Sequence, residues 1–408
     1  MKLRVFPWVL IALVFTNFYT ILGQSTTEER SDFERAYQIA YSTMSEDDAK
    51  YAVEVADNHK ENGKAYHLLG YILEIKSDII GASKALIKAE NSYAKADLLK
   101  LQAGVCERLG VIFYQTFNYN HSLTFYNKTL HLRKSLNDPQ QSDTKFNIGL
   151  AHQKLGNYDS AAHYFFMSLN DYEQNDQLQD KSEVLHQIAF LQMDIQDYEK
   201  ADIYYLKALD IASEVGDSLN MAKIYNDMGM NYLYQEDLLA AESYLKKSLQ
   251  VKTGLDRPGA LLIAYSNLGE LAMAKGRLDE AENYYSQAAS YWEPGNTSKH
   301  AIEAFTWLVE NSLDHTPKTI SLPLAQIAKT VSKQQKELSQ LKQFFEGQLA
   351  TRAMEMEREQ EALLKERIYW GGTIGLLLIG GLFTGLYYWK RYREADNKIN
   401  KVVSIVER

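Results

Sequence analysis

Residues 147–168 read NIGLAHQKLGNYDSAAHYFFMS, and three features of this stretch recur along the chain. The first is the apolar-small pair Ile148-Gly149. In chain order it belongs to the series Leu69-Gly70, Leu109-Gly110, Ile148-Gly149, Ile188-Ala189, Met228-Gly229 and Leu268-Gly269, spaced by 40, 39, 40, 40 and 40 residues. A fixed period in this range is the signature of a solenoid, in which each unit buries its apolar face against its neighbours. The second feature is the small-large-small set Ala161, Phe165 and Ser168. It is matched by Ala82, Leu86, Ala89; Ser122, Tyr126, Thr129; Ala201, Tyr205, Ala208; Ala241, Leu245, Ser248; and Ala281, Tyr285, Ala288. Spacings of four and three put these residues on one helical face, where small side chains admit a neighbouring helix and the large one fills the gap. The third is the turn Gly156-Asn157-Tyr158-Asp159, echoed by Gly276-Arg277-Leu278-Asp279, with Gly suited to a helix end and Asn or Asp to the next start. Each period therefore predicts a two-helix unit, and the chain an all-α solenoid.

The pattern resembles the tetratricopeptide repeat. That family runs at about 34 residues per unit, so a surplus falls after the second helix, in stretches such as residues 135–142. The resemblance covers residues 31–298, and a weaker unit with Ala36, Ala49, Val53 and Ala56 at the matching offsets precedes the six clear ones. It implies a right-handed superhelix of hairpins whose first helices line a concave groove. In this family an Asn just before the apolar-small pair often bonds the backbone of a bound peptide. That position holds Asn147, Gln187, Asp227 and Asn267 in four consecutive units, and Leu68 and Arg108 in the first two. The resemblance thus implies a peptide-binding groove on Asn147, Gln187, Asp227 and Asn267, whose side chains both donate and accept or, for the Asp, accept.

The flanks set the expected organisation. Residues 1–23 have Lys2 and Arg4 before an apolar run ending at Gly23, the layout of a signal peptide. Residues 24–298 form the solenoid, one degenerate and six clear repeats. Residues 299–367 form a terminal helix and stalk, with Ile327, Val331, Leu338, Leu341 and Phe345 at heptad-like positions; a short coiled coil and a helix capping the last repeat both account for them. Residues 368–389 carry no charge and end in Tyr and Trp on both sides, which predicts one transmembrane helix. Lys390, Arg391 and Arg393 follow it, placing a short tail, residues 390–408, in the cytoplasm and the repeats in the periplasm or outside. Gly371, Gly375, Gly381 and Gly385 make small-xxx-small pairs that permit a homodimer through stalk and span.

Composition excludes several functions. The formal net charge is −9, which argues against a nucleic-acid partner. The single Cys106 forms no internal disulfide. Nine histidines show no metal-ligand spacing, no glycine loop cradles a phosphate, and no nucleophile-base-acid set stands out. The expectation is a protein with no enzyme activity and no cofactor, embedded in a membrane, that binds a protein or peptide ligand and acts as an interaction scaffold. The alternative is a sensory transmembrane component of a bacterial signalling system, since the order of segments resembles membrane sensors ending in a histidine kinase or a LuxR-type DNA-binding domain. Residues 390–408 are too few for either output.

Overall fold

The computed structural model describes residues 32–255, 257–294, 296–311 and 323–336, with scattered positions between 339 and 390. The first compact unit extends to Leu341 and contains the helical array. Its degenerate hairpin is α1 (Asp32–Thr43) and α2 (Glu46–Glu54). Six hairpins follow: α3 (His59–Ile75) with α4 (Ile79–Lys95), α5 (Leu99–Gln115) with α6 (Tyr119–Ser135), α7 (Gln141–Lys154) with α8 (Tyr158–Gln174), α9 (Leu178–Asp194) with α10 (Tyr198–Glu214), α11 (Ser218–Tyr234) with α12 (Leu238–Gly254), and α13 (Pro258–Ala274) with α14 (Leu278–Ser290). We number these repeats 1 to 6. A further helix, α15 (Lys299–Asn311), packs on the last of them.

The hairpin seam is the one the spacing predicts. In five of the six pairs a glycine leaves room for the large residue of the second helix, and Ala189 stands in the sixth: a Cβ built on Gly149 would lie 2.6 Å from the Phe165 ring, and one on Gly110 would lie 2.5 Å from the Tyr126 ring. The small residues close the other end of the seam. Ser168 Oγ donates to the carbonyl of Ser142 at 2.9 Å, Ser248 Oγ to that of Ala222 at 2.8 Å and, in mirror fashion, Ser182 Oγ to that of Ala208 at 2.7 Å. Ala82, Ala161, Ala201, Ala241 and Ala281 are fully buried. In the degenerate hairpin, Ala36 and Ala49 occupy the same buried role.

Turns repeat as strictly as helices. The chain leaves α7 through Gly156 at φ 74°, with Gly156 N bonded to Gln153 O and Asn157 N to His152 O, both at 3.0 Å. This left-handed residue satisfies the last carbonyls of the helix. Ser77, Phe117, Gln196 and Glu236 adopt the same conformation at the equivalent turns without being glycine. These turns therefore keep their shape by context rather than by composition.

First and second helices have different surroundings. Each first helix lies among its own second helix, the preceding second helix and the neighbouring first helices, so α7 buries ten residues from Ser142 to Gln153 on all sides. A second helix keeps one face in solvent, and α10 buries only Ala201, Tyr205, Ala208 and Ala212.

One sequence expectation is corrected. Among the described residues no helix is long and apolar enough to cross a membrane. The 17-residue repeat helices span about 26 Å, short of a roughly 30 Å hydrocarbon layer, and they alternate buried small residues with charged faces. The single-pass localisation, with an extracytoplasmic solenoid and a cytoplasmic carboxyl end, is therefore withdrawn, and membrane embedding with it. The expected signal segment, residues 1–23, the expected span, residues 368–389, and the tail beyond Lys390 lie outside the described residues.

Candidate functional site

The first helices place Asn147, Gln187, Asp227 and Asn267 at one helical position in four successive repeats, as the period requires. Their surroundings differ from the open groove that the sequence implies. Asn147 and Asn267 are 1% and 2% exposed and Gln187 is 6% exposed, while Asp227 is partly accessible. The neighbouring first helix lies against this column, and much of the column is bonded to it.

Between repeats 4, 5 and 6 the bonds form a network. His186 Nε2 donates to Asp227 Oδ2 at 2.8 Å, crossing from α9 to α11. Asp227 Oδ1 accepts from Asn226 Nδ2 at 3.0 Å. Asn226 Oδ1 in turn accepts from Lys252 Nζ on α12 and from Asn267 Nδ2 on α13, both at 3.0 Å. Farther out, Gln153 Nε2 donates to Asp194 Oδ2 at 2.7 Å and Lys223 Nζ to Glu183 Oε2 at 3.2 Å. In repeat 2 the column position holds Arg108, whose guanidinium grips both oxygens of Glu74 in repeat 1 at 2.6 Å. A fork-to-carboxylate pair of this kind is directional as well as strong.

The electrostatics follow from this burial. Burial pushes the Asp227 carboxyl up, but the bonds from His186 and Asn226, with the charges of His186 and Lys252, together hold it below the usual carboxylate range. Burial drives the Lys252 ammonium down to about 8 despite the attraction of Asp227. Asp194 is raised by burial, against the bond from Gln153.

Several polar atoms on the first helices have no partner: Asn147 Oδ1, His186 Nδ1, Asn220 Oδ1 and Asn231 Oδ1 are buried without a hydrogen bond. An unmatched buried acceptor costs about 1 to 3 kcal/mol. His186, Asn226 and Lys252 were not singled out by the sequence reading. For His186 and Asn226 the signal is the residue just before the column, polar in His186, Asn226 and Ser266 where repeat 3 has Phe146; Lys252, on the second helix α12, has no such signal. Among the described residues no group of three His, Cys, Asp or Glu is placed to hold a metal ion.

This architecture, helical hairpins of one period joined through a polar seam, defines a helical repeat protein. Tetratricopeptide repeat family models match residues 142–165, 180–253 and 264–297. The chain is a tetratricopeptide-repeat protein. No curated protein matches it in sequence.

Solved structures similar to it include a Rap protein complexed with Competence and Sporulation Factor, at TM-score 0.53 and 12% identity over 82% of this chain and 96% of that one. A tetratricopeptide repeat protein from Parabacteroides merdae gives 0.51 and 15% over 72% and 98%. A signal-transduction ATPase with a tetratricopeptide repeat sensor, from Pyrococcus horikoshii, gives 0.54 and 18% over 78% and 48%. At these identities the likeness is one of fold.

Proposed function

We propose that this chain is a non-catalytic binding module that holds a peptide, or an extended segment of a protein, along its first helices. Asn147 is the observation that carries this reading. Its side chain lies on the same column as Gln187, Asp227 and Asn267, yet its Oδ1 is unmatched while Asp227 and Asn267 are bonded across repeats. A backbone N–H of a ligand supplies the missing donor with a small turn of the side chain. The expected groove residues then divide in role. Asn147 and Gln187 act as ligand contacts, and Asp227 and Asn267 set the spacing and angle of the repeats that shape the groove. The Rap protein of like fold is complexed with a factor, which supports a solenoid of this kind as a receptor.

The test is to pan a displayed library of random peptides against the purified chain and to measure the selected peptides on the parent and on Asn147→Ala. Losing one hydrogen bond of about 1 kcal/mol predicts an affinity loss of roughly fivefold to tenfold, with the melting temperature unchanged or slightly raised because an unmatched acceptor has gone. Peptides that bind both chains equally would remove Asn147 from the site. A library that yields no binder would remove the function.

A further inference from the structure

The hairpin turns form a second surface, separate from the first-helix face. A cavity of about 610 Å³ opens between the α7–α8 turn and the end of α9, lined by Gly156, Tyr158, Asp159, Leu191, Gln192 and Ile195. One repeat on, a cavity of about 420 Å³ opens between the α9–α10 turn and Gln235, lined by Ile195, Gln196, Asp197, Tyr198 and Glu199. Ile195 lines both, so the two notches are continuous. Large apolar side chains stand in solvent along this edge: Tyr158 is 38% exposed, Ile195 45%, Tyr234 47% and Leu239 80%. The Tyr198 and Tyr234 rings, 6.4 Å apart, extend the apolar strip from repeat 4 to repeat 5. Contiguous exposed apolar surface bounded by polar residues marks a docking site more often than an isolated apolar side chain does.

The rim is predominantly acidic. Turn segments 155–160, 195–200 and 235–240 hold Asp159, Asp197, Glu199, Glu236 and Asp237 against one cation, Lys200, whose ammonium is paired with Asp197. Such a rim repels phosphate, which sets aside nucleic acid and anionic lipid, and attracts ammonium and guanidinium groups. The geometry points to a docking surface on the turn edge of repeats 3 to 5 for a basic amphipathic segment of a partner protein. Its apolar side chains enter the two notches and its Lys or Arg side chains lie on the acidic rim.

The test uses the full chain and a short fluorescein-labelled amphipathic peptide of Leu and Lys, read by anisotropy, beside a Ser/Lys peptide of the same charge and a Leu/Glu peptide. The Leu/Lys peptide binds the parent and the other two do not. Ile195→Ser weakens it about tenfold, the effect of withdrawing one buried aliphatic side chain. Glu199→Lys with Glu236→Lys weakens it at least as much, and Asn147→Ala on the other face leaves it unchanged. Equal affinity for parent and Ile195→Ser, or equal binding of the Ser/Lys peptide, reduces the surface to general charge attraction and overturns the proposal. Loss on Asn147→Ala in place of Ile195→Ser moves the peptide to the first-helix face and overturns it too, while leaving the proposed function intact.

Discussion

Asn147 and Asn267 occupy the same helical position and predict opposite responses to truncation. Asn267→Ala removes one of the two donors to the buried Asn226 Oδ1, which keeps Lys252 Nζ, and cuts a tie between α11 and α13, so it should cost about 1 kcal/mol by chemical denaturation. A denaturation midpoint equal to that of the parent would show that the tie contributes nothing to the seam. Their shared column is legible in the spacing, but their burial is not. Spacing tells which face of a helix a residue occupies, whereas burial depends on what the next repeat, 40 residues away, lays against it.

Lys252 gives a pH-dependent prediction. Its ammonium has an ordinary value of 10.5 and burial lowers it to about 8, so between these values the unfolded chain holds a proton that the folded chain has released. Stability contributed at this site therefore rises as pH increases from about 8 towards 10.5. Lys252→Met lacks that term. The stability difference between parent and Lys252→Met should shift in favour of the parent by about 2 kcal/mol between pH 8 and pH 10, since one unit is worth 1.36 kcal/mol. A difference that stays flat over this range would mean that Lys252 remains fully protonated in the fold.

Helices and turns were the most legible parts of the sequence. Six hairpins and the degenerate first unit lie where the small-residue register puts them, because a glycine at a close helix crossing leaves little freedom in what packs on it. Gly149→Leu drives a branched side chain into the Phe165 ring, which a Cβ alone would approach to 2.6 Å, and should cost roughly 1 to 3 kcal/mol or more. A melting temperature like that of the parent would refute the register. The segment after repeat 6 was less legible. Ile327 is buried and Val331 half-buried, both packed in the cluster of Phe305, Leu308 and Tyr285, so the first two heptad-like positions cap the solenoid. Leu338, Leu341 and Phe345 lie outside the described residues. An apolar stripe of that period fits a capping helix as well as a coiled coil, and sequence alone does not choose between them.

The array as a unit depends on its terminal covers. α15 and the helix at 323–336 shield Ala281, Tyr285 and Ala288 from water, and Trp307 Nε1 reaches the Met273 sulfur at 3.1 Å. Ending the chain after Ser298 should expose this face, lower the melting temperature and promote association, because a stacked repeat has no other way to bury its outer surface. A truncated chain that stays monomeric and melts with the parent would deny the cap. The column of first-helix side chains then has two parts, a bonded seam through repeats 4 to 6 and an incompletely bonded stretch at repeat 3. Burial covers Asn147 and Asn267 in the column that family resemblance implied as groove-lining, and Asn147 Oδ1 is among the buried atoms left without a partner.

Hydrogen–deuterium exchange on the full chain, with and without a peptide selected against it, tests this most directly. Bound peptide should protect amides in α7 and α9 with lesser effects in α11 and α13, and leave the solvent faces of α8 and α10 unchanged. Protection confined to the second helices, or to the turns at 155–160 and 195–200, would contradict the assignment of the first-helix face as the ligand site.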